Sequence, residues 1–152
     1  MSLTISGGGP EADNLKFLTK ELGLENAVRF PGWVQRAELY RLMNKADLFI
    51  LPRWVLEYSS VLLMEAMMCG LPVVVPAGGG LEWIAGDGGI TFRDDDVEDL
   101  AKIFESIIEN PGILPSLAKK SYIRSRDFSY EALGEKFAQI IIAAGSKKSL
   151  AE

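Results

Sequence analysis

From Leu48 to Val75 an apolar strand, an almost wholly apolar helix and a second apolar strand follow one another, and few folds accept that succession. The first strand is Leu48 to Leu51. From Val61 to Cys69 every residue but Glu65 is apolar, and a helix apolar on all sides is a buried one. Gly70 closes that helix, because a glycine just past the last turn adopts the left-handed conformation without steric cost. Pro72 to Val75 is then a continuous apolar, β-branched run, the pattern of a strand covered on both faces in the middle of a parallel sheet.

The rest of the chain repeats the alternation. Strands at Leu3 to Ser6, Ala27 to Phe30 and Ile90 to Phe92 are separated by helices over Pro10 to Leu22, Arg36 to Lys45, Leu81 to Ala85 and Val97 to Glu109. Two more helices, Leu114 to Arg126 and one after Ser129 that ends near Ala144, complete the expectation, with residues 146–152 a disordered tail. Leu15, Phe17, Leu18 and Leu22 should form the buried stripe of the first helix, and Leu39, Tyr40, Leu42 and Met43 that of the second. Strands alternating with helices at this spacing give an α/β fold with a parallel sheet, whose ligands bind at the carboxyl ends of the strands. The loops after the strands, Gly7 to Pro10, Pro31 to Val34, Pro52 to Ser60 and Pro76 to Gly80, are expected to converge on one rim.

Composition narrows the function. A chain of 152 residues with 48% apolar and 24% charged content is an ordinary globular domain. A net charge of −5 leaves no basic stripe for phosphate neutralisation, so nucleic acid is not an expected partner; Lys119, Lys120, Arg124 and Arg126 read as a solvated helix face. The absence of histidine removes the commonest general base, the Ser-His-Asp triad and the usual zinc sites. Asp94, Asp95 and Asp96 read as cap chemistry for the helix that follows them rather than as a metal site. The lone Cys69 ends an apolar helix and reads as a small core residue. With no signal peptide and no apolar run of about 18 residues, the chain is expected to be soluble and cytoplasmic.

The polar residues around the apolar helix carry the chemistry. Ser59 or Ser60 is placed to cap it, and the unpaired N–H groups of its first turn, about Ser60 to Leu63, then face an anion such as a phosphate. Glu57 lies just before that turn and Glu65 one to two turns along. A carboxylate among apolar neighbours is costly unless donors meet it, and a polyhydroxylated ligand would supply them. The alternative is structural: Glu57 a solvated loop acid, Glu65 paired with a core Arg or Tyr. Upstream, Gly7-Gly8-Gly9-Pro10-Glu11-Ala12 satisfies a dinucleotide fingerprint after a strand, but Phe30-Pro31-Gly32 stands where the ribose-binding acid belongs.

The run from Glu57 to Val74 resembles the E-x7-E signature of the retaining, nucleotide-sugar-dependent glycosyltransferases of family 4, also called group 1. Ile5 to Pro10, Val28 to Gly32, Ala46-Asp47, Leu51-Pro52, Gly79-Gly80 with Glu82, and Phe128 to Glu131 join it in the order of that family. The resemblance implies a Rossmann-like parallel sheet flanked by helices, one half of a GT-B fold, truncated at its N-terminus. It implies that residues 1–145 are a nucleotide-sugar donor-binding domain, without the acceptor domain and without the first strand and helix, whose Arg and Lys bind the diphosphate in relatives.

By the same resemblance Glu57, the catalytic candidate, contacts sugar hydroxyls, and Ser59 and Ser60 present backbone donors to the sugar. Val61 and Leu62 offer amides to the diphosphate, and Glu65 meets the ribose. Gly7, Gly8 and Gly9 line the cleft, Gly32, Trp33 and Val34 hold the base through backbone groups, and Arg53 is a nearby cation. No metal or other cofactor is implied. The implied partners are a nucleoside diphosphate sugar and, through the absent domain, a glycan or lipid-linked acceptor, with the longer protein peripheral to a membrane. Self-association is expected through Leu133, Phe137, Ile140, Ile141 and Ala144 of the last helix. A non-catalytic nucleotide-sugar binding module and a GT-B nucleotide-sugar epimerase are the alternatives.

Overall fold

The computed structural model describes residues 1–52 and 59–148, and the chain divides into two compact units, Met1–Leu42 and Met43–Glu152. In the first unit β1 (Leu3–Ser6) pairs in parallel with β2 (Val28–Gly32), Leu3 opposite Val28, and the register slips between Thr4 and Ser6 so that Ser6 meets Gly32. The helix α1 (Ala12–Glu21) connects them, and α2 (Arg36–Met43) follows β2. Leu39, Tyr40 and Leu42 are half-buried and Met43 is buried, as the spacing on α2 predicts. The stripe expected on α1 is overturned. None of its residues is buried, and Leu15, Phe17, Leu18 and Leu22 are all exposed. A unit of 42 residues with a two-stranded sheet has too little surface to cover a helix face.

The second unit holds the core. Its sheet has the order β3-β4-β5, all parallel, from β3 (Phe49–Ile50), β4 (Val73–Pro76) and β5 (Gly89–Phe92). The central strand is the β-branched run, and all four of its residues are buried. Leu63, Ala66 and Met67 of α3 (Val61–Met68) and Leu81, Ile84 and Ala85 of α4 (Gly80–Ala85) pack into the same interior.

The helix α3 is bounded at both ends. Ser60 caps it, its Oγ accepting the Leu63 N–H at 3.3 Å. At the other end Gly70, with φ of 76°, donates to the Met67 carbonyl while Leu71 donates to that of Ala66, the paired bonds of a Schellman ending. Its burial is one-sided, however. Val61 and Leu62 in its first turn and Met68 at its last position are exposed.

After β5, Asp96 caps α5 (Val97–Glu109) by accepting the Asp99 N–H at 2.8 Å, which is the cap chemistry the three aspartates predict. The backbone N–H of Arg93 bonds the Asp99 carboxylate at 2.7 Å, and this bond, helped by the Arg93 charge, holds Asp99 below the usual aspartate range. Next, α6 (Leu114–Ser125) approaches the rest of the unit through small residues. Ser121 and Ser125 are fully buried; Ser121 Oγ donates to the Leu71 carbonyl at 2.6 Å, and Ser125 Oγ to that of Tyr122 at 2.7 Å. The final helix, α7 (Tyr130–Lys148), runs past Ala144 to Lys148, so residues 146–148 of the expected disordered tail are helical. Gly145 inside it costs about 1 kcal/mol against alanine, too little to end a 19-residue helix.

Arg124 corrects the reading of α6 as carrying a solvated cationic face. Its guanidinium donates to the Trp83 carbonyl at 2.7 Å, the Ile84 carbonyl at 3.3 Å and the Asp127 carboxylate at 2.7 Å. It also lies 5.1 Å from the centre of the Trp83 ring and 5.0 Å from that of Phe128, two rings that meet edge to face at 5.6 Å.

Candidate functional site

In the first unit the loops after β1 and β2 come together. The Gly7 N–H bonds the Gly32 carbonyl at 2.8 Å, and Ser6 Oγ reaches the same oxygen at 3.4 Å. Gly7 and Gly32 both have positive φ, 116° and 71°, so glycine is required at each for the chain to turn there. A Cβ on Gly8 would lie 2.9 Å from Nε1 of Trp33, so the indole rests against bare backbone. The ring is otherwise open to solvent, 85% exposed. Gly7, Gly8, Gly9, Gly32, Trp33 and Val34 thus belong to one loop cluster at the carboxyl ends of two parallel strands.

In the second unit, Ser59, Ser60, Val61, Leu62 and Glu65 follow β3. Of the two candidate caps Ser60 is the one used; it is buried, whereas Ser59 is exposed. Met64 N–H opens the helical ladder on the Ser60 carbonyl and Leu63 N–H goes to Ser60 Oγ, so helix geometry leaves the Val61 and Leu62 amides without intrahelical acceptors. Both residues are exposed, and the positive end of the helix therefore meets solvent at the carboxyl rim of the sheet. Glu65 is half-buried, one turn further along. Glu57 and Arg53 lie outside the described residues.

Cys69 is half-buried at the other end of α3, and burial pushes its thiol pKa up, with the Glu65 charge adding to the effect. A raised thiol is a poor nucleophile, in keeping with a packing role. A cavity of about 220 Å³ opens there between Asn44, Asp47, Cys69, Leu71 and Pro115. It lies toward the amino ends of β3 and β4, away from the rim that carries the helix amides.

Beside α3 on the same rim, the loop after β4 brings Gly78, Gly79 and Gly80 into α4. Gly78 and Gly79 have φ of 83° and 84°, and the Glu82 carboxylate accepts the Gly78 N–H at 2.7 Å. Sequence reasoning marks Glu82 as a loop acid but does not find this bond, which depends on α4 turning it back over its own entry. Among the described residues no group of acidic or cysteine side chains is placed to hold a metal ion, and no helix is long and apolar enough to cross a membrane.

Comparison with known proteins gives the family and the fold. Residues 1–126 match the model of the family described as glycosyl transferases group 1. Glycogen synthase of Mycobacterium tuberculosis is 31% identical over 146 residues, 94% of this chain and 35% of the relative. The crystal structure of Anabaena HepE in complex with UDP superposes with a TM-score of 0.80 at 28% identity, over 94% of this chain and 41% of HepE. HepE has also been solved with UDP-glucose. Sucrose-phosphate synthase from Thermosynechococcus elongatus shares the fold, with a TM-score of 0.80 at 24% identity over 96% of this chain and 39% of that one. The chain spans 35% to 41% of the length of these proteins. With the family model matching most of its length and its parallel α/β architecture matching part of their GT-B fold, the chain belongs to the group 1 glycosyl transferases.

Proposed function

We propose that this chain is the donor-binding part of a retaining glycosyltransferase, which takes a glycosyl group from a nucleoside diphosphate sugar and passes it to a hydroxyl of a glycan or lipid-linked acceptor. The observation that carries this reading is the first turn of α3, where Val61 and Leu62 are exposed and helix geometry leaves their amides without intrahelical acceptors, with Glu65 one turn behind them. Amides at a helix N-terminus suit the diphosphate, whose negative charge grows as the bond to the sugar breaks. No metal is needed for that charge in this reading. Glu65 takes the ribose hydroxyls, Glu57 is the catalytic group at the sugar, and the Ser59 and Ser60 backbone lies alongside it.

In the first unit, Gly7, Gly8 and Gly9 form a bare loop for the nucleotide sugar, and Gly32, Trp33 and Val34 hold the base. That HepE has been solved with UDP and with UDP-glucose supports a nucleotide sugar as the ligand. The acceptor belongs to a further domain of a longer cytoplasmic protein that can lie at a membrane surface. Leu133, Phe137, Ile140 and Ile141 stand exposed on α7, and through them the chain self-associates.

Calorimetric titration with UDP, GDP and ADP tests the reading. At least one should bind, and Glu65→Gln should weaken it about 10- to 100-fold, since hydrogen bonds to a charged acceptor contribute about 1.5–3 kcal/mol. The melting temperature should hold. If Glu65→Gln costs several kcal/mol of stability and leaves affinity untouched, Glu65 is a core ion-pair member and the donor-site reading is wrong.

A further inference from the structure

The Gly78–Gly80 loop has an improbable backbone, and Gly78 and Gly79 are exposed. Gly78 and Gly79 both have positive φ, and Gly79, with φ of 84° and ψ of −158°, occupies a region almost closed to residues with a Cβ. Two adjacent glycines also lose more conformational entropy on ordering than any other pair. A Cβ on Gly78 would point into open space, so no neighbour's side chain fixes the loop at that position. Hydrogen bonds fix it instead. Ala77 N–H bonds the Phe92 carbonyl at 2.7 Å on the entering side, and Trp83 N–H bonds the Gly79 carbonyl at 3.2 Å on the leaving side. Between them, Glu82 Oε2 accepts the Gly78 N–H at 2.7 Å. Of the three, this is the one made by a side chain and the one to a charged acceptor; it holds Gly78, as the Trp83 bond holds Gly79.

The loop's position gives the bond its use. It leaves the carboxyl end of β4, and β3, which pairs with β4 at Phe49 with Val73 and Ile50 with Val74, ends on the same rim of the sheet. A run of three glycines there makes a wall without side chains, which admits a polyhydroxylated group closely but keeps its shape only if something holds it.

We infer that Glu82 is a positioning residue for the donor. Its carboxylate holds the Gly78–Gly79 backbone in the shape that receives the glycosyl diphosphate beside the first turn of α3. The inference rests on the donor-site reading above and deepens it. Glu82 acts through Gly78 and does not itself touch the ligand. What it must supply is a hydrogen-bond acceptor in the right place, and the amide oxygen of glutamine supplies one too.

Glu82→Ala and Glu82→Gln, titrated with UDP-glucose and with UDP alone, separate the roles. Glu82→Ala should bind UDP-glucose at least tenfold more weakly than wild type, and Glu82→Gln within about threefold of it. Amide hydrogen exchange should quicken at Gly78 to Gly80 in Glu82→Ala, stay near wild type in Glu82→Gln, and be unchanged elsewhere in both. Equal loss of binding in the two variants would mean that the charge meets the ligand directly, which overturns the inference. So would a Glu82→Ala protein that binds as wild type does. Should wild type bind none of the nucleotides, the donor reading falls and this one with it; the exchange rates would still report whether Glu82 holds the loop.

Discussion

Gly88→Ala lowers the stability of the second unit by about 3 kcal/mol or more, the upper range for forcing an extra carbon into a packed interior. A Cβ at Gly88 would stand 2.3 Å from Cα of Ser121 and 2.4 Å from its backbone nitrogen. Both are backbone atoms of a helix, so no side-chain rotation relieves the overlap. The helix α6 would have to move outward as a body, and the buried Ser121 hydroxyl would be drawn off the Leu71 carbonyl it meets at 2.6 Å. An abandoned buried acceptor adds about 1–3 kcal/mol to the packing cost. The same substitution at Gly134, inside α7 with nothing near its Cβ position, should instead stabilise by about 0.5–1 kcal/mol through helix propensity. Thermal melts of the two variants give opposite signs. A Gly88→Ala protein that melts with wild type would show that α6 does not press on this turn.

Arg124→Met should cost about 2–4 kcal/mol. The methionine keeps much of the apolar stem but leaves the carbonyls of Trp83 and Ile84 without their donor and removes the cation from between two aromatic rings. Arg124 has 27% of its side chain exposed, so solvent screens these bonds only in part. Lysine restores charge without the planar fork that serves several acceptors at once, so Arg124→Lys should recover less than half of the loss. Asp127→Asn removes only the half-exposed ion pair and should change stability by under about 1 kcal/mol. Melting curves of the three rank the contributions. If Arg124→Met and Asp127→Asn fall together, the surface pair and not the carbonyl contacts sets the residue's value.

The parts of this fold that were legible in sequence are those written in a single segment. The β-branched run Val73 to Val75 can only be covered on both sides, and it is the central, fully buried strand. The Gly70 ending follows from residue type and position, and a serine cap, at Ser59 or Ser60, from residue type and spacing, since each depends on atoms three or four positions away; the structure selects Ser60. Arg124 and Gly88 were not legible for the opposite reason. The partners of Arg124 in α4 lie about forty positions away, and the value of Gly88 lies in what is absent from it when α6 arrives. The apolar face of α1 misled because periodicity says which residues share a side, not whether anything covers it. At the candidate site, the grouping of Gly7 with Gly32 and a serine cap on α3 follow from strand order and capping chemistry, the choice of Ser60 over Ser59 comes from the structure, and Glu57 lies outside the described residues.

A helix of eight residues with a side-chain cap at one end and a paired-bond stop at the other has no freedom to slide or to lengthen. Its first-turn amides and Glu65 are therefore fixed against each other whatever precedes Ser60. Such a part can be inherited unchanged while the segment before it is rewritten in length and composition. On the donor-binding function proposed above, chimaeras that exchange residues 53–59 between group 1 enzymes should change which sugar is taken and keep the nucleotide, with residues 60–70 left as they are.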